Sequence, residues 1–154
     1  MTRPIVSEAH VDLPPDEAFA RFVDGLGRWW PMAYTYSGAR FETARVEPRV
    51  GGQWGEVTRD GETLPWGDVR VFEPGRRVVL GFNIAADRSA EPPERWSEVE
   101  IAFAPDNAGT RIRLEHRDLD RHGDGAQAIA DGMASDQGWP LILASFRRET
   151  RRPR

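Results

Sequence analysis

Cysteine and lysine are both absent from this sequence of 154 residues. Without cysteine there are no disulfide bonds and no thiolate nucleophile, and without lysine there is no side-chain amine to form a Schiff base. The chain also has no apolar run of about 18 residues, which excludes an ordinary membrane-spanning helix. Because the first residues lack the apolar core of a signal peptide, we expect a cytoplasmic protein with no membrane partner.

Basic residues are fewer than acidic ones, at 21 against 25, and the formal net charge of −4 argues against binding to nucleic acid. Every basic residue is an arginine, and five of them lie in residues 147–154 beside a single glutamate. This segment predicts a basic tail that complements the end of a helix and then frays into solvent. A specific anionic partner is the alternative.

Apolar residues near the C-terminus predict two helices. They recur at three- and four-residue spacing over residues 126–133 and again over residues 139–146. The two stripes are rotated by about a quarter turn from one another. Since Gly138 and Pro140 lie where they meet, we predict a short helix, a break near residues 136–140 and a final helix to about Arg151.

The rest of the chain predicts mainly strands. Residues 5–11 alternate between apolar and polar, two short helices follow within residues 14–31, and six further candidate strands span residues 41–47, 52–58, 65–72, 77–83, 96–103 and 110–117. The turns between them are rich in Gly, Pro, Asn and Asp. Short strands joined by tight turns favour an antiparallel sheet, folded round the C-terminal helix with a space between them.

Several short motifs occur in order along the chain: Pro14 to Phe19, Trp29-Trp30-Pro31, Gly51 to Glu56, Pro65 to Val69, Gly109 to His116, and Gly138-Trp139. Together they resemble the START-like, or SRPBCC, superfamily, and more narrowly the branch named for the C-terminal domain of the activator of the heat-shock protein 90 ATPase. The resemblance covers about residues 5–146. It implies a single α+β domain with the helix-grip fold, a curved seven-stranded antiparallel sheet wrapped round a long C-terminal helix with a cavity between them.

Period-two alternation predicts the side chains that face this cavity. In residues 65–72 it places Gly67, Val69 and Val71 inward, and in residues 52–58 we place Trp54 and Glu56 inward. The predicted ligand contacts are Trp54, Glu56, Trp66, Val69, Phe82, Ser97, Val99, Ile101, Ile112, Leu114, His116, Trp139 and Leu143. Trp29, Trp30 and Trp139 also read as aromatic residues of the core.

Two of the inward residues are candidates for general acid or base chemistry. His116 ends an apolar face, where a histidine is either a hydrogen-bonded core residue or a catalyst. An inward Glu56 is a partly buried carboxylate that needs a partner. That partner is a ligand, an arginine on a neighbouring strand such as Arg45, or water.

Other site types are not indicated. The three histidines, His10, His116 and His122, are isolated in the sequence, so we expect no metal site and no cofactor. No serine, Ser97 included, has a base at a telling distance in the sequence. The acidic residues 118–125 predict a solvated turn. Residues 32–40 are either a lid over the cavity or an ordinary surface loop.

Three functions from different classes are consistent with these residues. The first, which we favour, is a binding protein that holds a small hydrophobic or aromatic molecule in the cavity. The second is an enzyme of the cyclase, hydrolase or lyase kind that uses His116 or Glu56 as acid or base. The third is a co-chaperone-like interaction module with a chaperone as its partner. We expect a monomer or a homodimer.

Overall fold

The structure of the protein is a computed structural model, and it describes residues 2–152. Strand β1 (Ile5–Val11) leads into helices α1 (Pro15–Asp24) and α2 (Leu26–Trp29). Six strands follow: β2 (Phe41–Val46), β3 (Gln53–Thr58), β4 (Thr63–Glu73), β5 (Arg77–Phe82), β6 (Ser97–Asp106) and β7 (Gly109–Arg117). Helices α3 (Ala126–Ala134) and α4 (Trp139–Thr150) end the described chain.

The seven strands form one antiparallel sheet in the order β1-β7-β6-β5-β4-β3-β2. Strands β2 to β7 pair in chain order, each with its neighbour in sequence, and the first strand, β1, pairs with β7 at the opposite edge from β2. The sheet curls round the C-terminal helices, which confirms the predicted helix-grip fold. No helix within residues 2–152 has the length and apolar character needed to cross a membrane.

The predicted break in the C-terminal helix is confirmed. Helix α3 ends at Ala134, Ser135 is extended, and α4 begins after Gly138. A Cβ on Gly138 would lie 2.2 Å from the carbonyl oxygen of Met133, so this close approach requires glycine. Pro140 lies in the first turn of α4, where its missing N–H would have no partner in any case.

The alternation of inward side chains is confirmed in β6 and β7, but β4 departs from it at two bulges. Trp66 is the extra residue of the first bulge, and its side chain is fully buried beside the inward Gly67. At the second bulge the register shifts after Val69, so Phe72 and not Val71 faces the core. The prediction of an inward Val71 is therefore wrong.

Aromatic side chains from α1, α2 and α4 fill one end of the concave face. The ring of Phe22 contacts those of Trp29, Phe103 and Phe146 at centroid distances of 4.6 to 5.5 Å. Such edge-on and tilted contacts favour a specific arrangement of rings in addition to the area that they bury. This end of the space between sheet and helices is therefore occupied by the protein itself.

The outer face of the sheet is covered by interleaved charges. Arg117 on β7 contacts the carboxylates of Glu98, Glu100 and Glu115 at 2.7, 2.8 and 3.2 Å. Arg70 contacts Glu98 from the β4 side. The half-buried guanidinium of Arg117 thus links β6 to β7 and offsets the mutual repulsion of these three carboxylates.

Candidate functional site

A cavity of about 520 Å³ lies between the other end of the sheet and helices α3 and α4. Trp66 and Phe82 form its sheet side, and Ile129 and Met133 form its helix side. The lid loop (residues 32–40) and the rim turn (residues 84–90) complete the wall. A volume of this size is typical of sites that hold drug-sized molecules.

The cavity includes only some of the predicted ligand contacts. Trp66 and Phe82 line it. The apolar residues that lie outside the lining and pack in the core are Trp54, Val69, Val99, Ile101, Ile112, Leu114, Trp139 and Leu143. A neighbouring void beneath several of them measures about 10 Å³, no more than one water molecule needs. Glu56, Ser97 and His116 are fully buried behind the lining.

Loops and helix α3 supply the lining that alternation along the strands does not predict. The rim turn contributes Ile84 and Arg88, and α3 contributes Ile129 and Met133. The helical stripe of residues 126–133 predicts an inward face for α3, and this is the one sequence signal for these residues. Nothing in the sequence indicates that the rim turn folds back onto the cavity.

The lid loop covers one side of the cavity. Tyr34, Thr35 and Tyr36 line it, and the Tyr34 hydroxyl donates a hydrogen bond to the carbonyl oxygen of Gln137, at the break between α3 and α4. Trp30 Nε1 donates to the carbonyl oxygen of Tyr34 at 3.1 Å. Of the two alternatives, the structure therefore favours a lid over a free surface loop.

Glu56 anchors the lid loop from inside. Its side chain is fully buried, and Oε1 accepts hydrogen bonds from Tyr36 N at 2.5 Å and Trp66 Nε1 at 2.8 Å. Oε2 accepts from Ser37 N at 2.8 Å and from the Ser37 hydroxyl. Arg45 lies opposite Gly55 with its side chain exposed, so the alternative in which Glu56 pairs with Arg45 is wrong. Neutral donors satisfy this buried carboxylate instead.

Tyr36 presents a neutral phenol to the cavity. Its hydroxyl donates to Asn83 Oδ1 at 2.7 Å, and Asn83 Nδ2 donates to the carbonyl oxygen of Pro65 at 2.8 Å. Burial, followed by the negative charges of Glu56 and Glu91, raises the pKa of Tyr36 well above its usual value of 10. The phenol therefore keeps its proton, and its oxygen remains able to accept a hydrogen bond.

A second buried network runs behind Phe82. Trp139 Nε1 donates to His116 Nδ1 at 3.0 Å, so a neutral His116 carries its proton on Nε2 and donates to Ser97 Oγ at 2.8 Å. Ser97 Oγ is also hydrogen-bonded to His122 Nε2 at 2.7 Å, and His122 Nδ1 donates to the carboxylate of Glu91. These contacts join five residues into one buried chain, Trp139–His116–Ser97–His122–Glu91.

The buried chain corrects two sequence interpretations. His116 and His122 are not isolated, since both are hydrogen-bonded to Ser97 Oγ. Ser97 therefore has two histidines beside it, although no base lies near it in the sequence. His122 and Leu119 are buried at 2% exposure, so residues 118–125 are not simply a solvated turn.

Burial, together with the nearby His122, lowers the pKa of His116 to about 3. His116 is therefore neutral at physiological pH.

Phe82 separates this chain from the cavity. Its ring lines the cavity and lies 4.6 Å from the His116 ring, between centroids. Neither histidine lines the cavity. Among residues 2–152, no cluster of three or more His, Asp or Glu side chains is arranged to hold a metal ion.

Comparison with known proteins agrees with the architecture. The anthrahydroquino-gamma-pyrone synthase Txn09, complexed with SUM, has a TM-score of 0.66 and 28% identity over 96% of each chain. CalC from Micromonospora echinospora, a self-sacrificing resistance protein, has a TM-score of 0.64 and 26% identity over 96% of this chain and 93% of its own. The Aha1 dimer from Colwellia psychrerythraea, at a TM-score of 0.67 and 16% identity over 97% of this chain and 96% of its own, shows the shared fold alone.

No curated protein matches this chain significantly. Residues 12–150, however, match the protein family described as Activator of Hsp90 ATPase homolog 1-like protein. The match includes both helices of the N-terminal half, strands β2 to β7 and the C-terminal helices, and so covers the whole cavity wall. With its helix-grip fold and this match over most of its length, the chain belongs to the family of Activator of Hsp90 ATPase homolog 1-like proteins.

Proposed function

We propose that this protein binds a small, largely apolar molecule, aromatic in part, in the cavity between the sheet and helices α3 and α4. The observation that carries the proposal is the cavity itself, with its volume of about 520 Å³ and walls of aromatic and aliphatic side chains. Trp30, Trp66 and Phe82 offer ring faces and edges to a flat ligand, and Ile129 and Met133 close the opposite side.

The buried polar networks support binding by fixing the walls. Glu56 holds the lid loop and Trp66, while the chain from Trp139 to Glu91 joins the start of α4 to the segment that follows the rim turn. We infer that His116 and Glu56 act as positioning residues. Each nitrogen of His116 and each carboxylate oxygen of Glu56 is already engaged within the protein.

Similarity to Txn09 gives the proposal independent support. That relative is named as a synthase of an anthrahydroquino-gamma-pyrone, and it is similar over 96% of both chains. The name denotes a fused aromatic compound, of the kind that an aromatic-walled cavity accommodates. We transfer only the class of ligand, an apolar and partly aromatic molecule, and no reaction.

Titration with the neutral fluorescent dye N-phenyl-1-naphthylamine tests the proposal, because the dye brightens when it leaves water for an apolar site. Gly132 lines the cavity, and a Cβ added there would meet no atom within 4 Å. We expect the dye to bind the wild-type protein and Gly132→Trp to weaken binding at least about ten-fold, since the indole occupies space that the dye needs.

Ala134→Trp is the matched control. Ala134 lies two residues further along α3, is exposed and does not line the cavity. Because residues two apart on a helix face different directions, a tryptophan there leaves the cavity open. Equal dye affinities for wild-type protein and both tryptophan variants would contradict the proposal, as would the absence of any dye binding.

A further inference from the structure

The hydroxyl and indole donors around the cavity are already used within the protein. The hydroxyl and indole donors and their acceptors are Tyr34 to Gln137 O, Thr35 to Met32 O, Tyr36 to Asn83 Oδ1, Ser135 to Gly132 O, Trp30 to Tyr34 O, and Trp66 to Glu56 Oε1. The hydroxyl oxygens keep lone pairs, so these groups accept hydrogen bonds from a ligand more readily than they donate them.

Two side chains of the lining are exceptions: the neutral amide of Gln137, which makes no hydrogen bond within residues 2–152, and Arg88. Arg88 is the charged side chain of the lining, and it makes no ion pair within residues 2–152. A guanidinium carries five N–H donors, yet the one hydrogen bond of Arg88 is a long one of 3.4 Å, from Nη1 to the carbonyl oxygen of Ala33. The guanidinium therefore has unused donors at the place where the rim turn meets the lid loop.

The backbone of the rim turn fixes the position of Arg88. Ala85 N donates to Ser89 O and Arg88 N donates to Ala85 O, both at 2.9 Å, and Ile84 bridges to Ala90. Arg88 itself has φ of 67°, a left-handed conformation that is uncommon for a residue with a side chain. The tight turn thus presents this arginine at the rim in a defined backbone conformation.

The charges around the cavity favour an anion at the rim over one at the closed end. The buried carboxylate of Glu56 and the partly buried carboxylate of Glu91 lie near Tyr36, and their negative charges act on its phenol. Asp87, beside Arg88, directs its carboxylate to Ser89, with Oδ1 accepting from N at 3.0 Å and from Oγ at 2.6 Å. Coulomb repulsion therefore opposes a negative group deep inside, whereas Arg88 attracts one at the rim.

We propose that the ligand of this cavity is an organic anion, with its apolar body between Phe82 and Ile129 and its acidic group at the rim against Arg88. This inference rests on the proposed function and adds the charge and the orientation of the ligand. A carboxylate or a sulfonate suits the site equally well in chemical terms, since both accept the paired N–H groups of a guanidinium.

A matched pair of dyes tests the inference. 1-Anilinonaphthalene-8-sulfonate has the same ring system as N-phenyl-1-naphthylamine and one added sulfonate. We expect Arg88→Ala to weaken binding of the sulfonate dye about five-fold, as is reasonable for a partly exposed ion pair, and to leave binding of the neutral dye within about two-fold. We expect Arg88→Glu to weaken binding of the sulfonate dye further, because the negative side chain repels the sulfonate.

Arg95→Ala is the control for net charge. Arg95 lies on the segment that follows the rim turn and is exposed, but it does not line the cavity. The inference about Arg88 is overturned if Arg95→Ala and Arg88→Ala weaken binding of the sulfonate dye equally. It is also overturned if neither substitution weakens that binding, and in both cases the cavity remains a binding site. If neither dye binds the wild-type protein, the proposed function fails, and this inference fails with it.

Discussion

Replacing Glu56 with glutamine keeps the length of the side chain and removes its charge. The two carboxylate oxygens accept four hydrogen bonds, two from backbone N–H groups of Tyr36 and Ser37, one from the Ser37 hydroxyl and one from Trp66. Glutamine has one oxygen, so its amide nitrogen faces the donors at the other position. The donors that then lose their acceptor are either Tyr36 N and Trp66 Nε1, which share Oε1, or the N–H and hydroxyl of Ser37, which share Oε2.

The loss can be estimated from this geometry. Hydrogen bonds to a charged acceptor contribute about 1.5 to 3 kcal/mol each, and neutral ones about 0.5 to 1.5 kcal/mol. Two bonds are lost and two become neutral, while the cost of burying a charge disappears. We expect Glu56→Gln to lower the free energy of unfolding by about 3 kcal/mol, as measured by denaturant titration.

Amide hydrogen exchange locates the effect. We expect the amide that loses its acceptor in Glu56→Gln, that of Tyr36 or that of Ser37, to exchange at least about ten-fold faster, since a loss of about 1.4 kcal/mol corresponds to a factor of ten. Glu42→Gln, on an exposed position of β2, removes the same charge without touching the lid loop. Unchanged exchange at Tyr36 and Ser37 in Glu56→Gln would refute the anchoring role of Glu56.

Three further predictions concern stability. His116 has an ordinary pKa of 6.5 and a folded-state pKa of about 3, so its neutral form stabilises the fold fully above pH 6.5. As the pH falls from 6.5 towards 3 the unfolded state gains the proton first, and we expect unfolding titrations to show a loss approaching about 1.4 kcal/mol per pH unit that His116→Gln lacks. Arg117→Ala leaves three carboxylates of the outer face without their shared cation. We expect it to lower the free energy of unfolding by about 1 kcal/mol in denaturant titrations at low salt, and by less at high salt. Arg111→Ala, at an exposed arginine of the same strand, is the control and has little effect. Gly138→Ala pushes a Cβ against a backbone carbonyl, so we expect a lower free energy of unfolding in denaturant titrations. Gly132→Ala, in open space on a helix, raises the free energy of unfolding by up to about 1 kcal/mol. The reverse order of the two variants would contradict the account of the helix break.

The sequence predicts the fold well because its signals are local and repeated. Period-two alternation identifies the inward faces of β6 and β7, and Gly138 with Pro140 marks the helix break. Alternation fails in β4, where an extra residue at each bulge turns Trp66 and Phe72 inward. A bulge depends on how two strands pair, and a single strand pattern does not reveal it.

The site is harder to predict because its parts come from distant segments. Ser97 and His122 are 25 residues apart in the chain, and Glu91 lies 31 residues from His122. Their contact results from the return of the chain after β7, which no spacing in the sequence records. The position of the cavity likewise depends on which end the aromatic rings of α1 and α2 fill, and Arg88 enters it through a turn with no motif.

Methyl NMR during titration with N-phenyl-1-naphthylamine tests the central claim most directly. Ile129, Met133 and Ile142 line the cavity, whereas Val6 and Val50 are apolar residues exposed elsewhere at 48% and 63%. We predict saturable shifts of the Ile129, Met133 and Ile142 methyl signals, with those of Val6 and Val50 unchanged. Shifts confined to Val6 and Val50, or no shifts at all, would contradict a binding site between the sheet and helices α3 and α4.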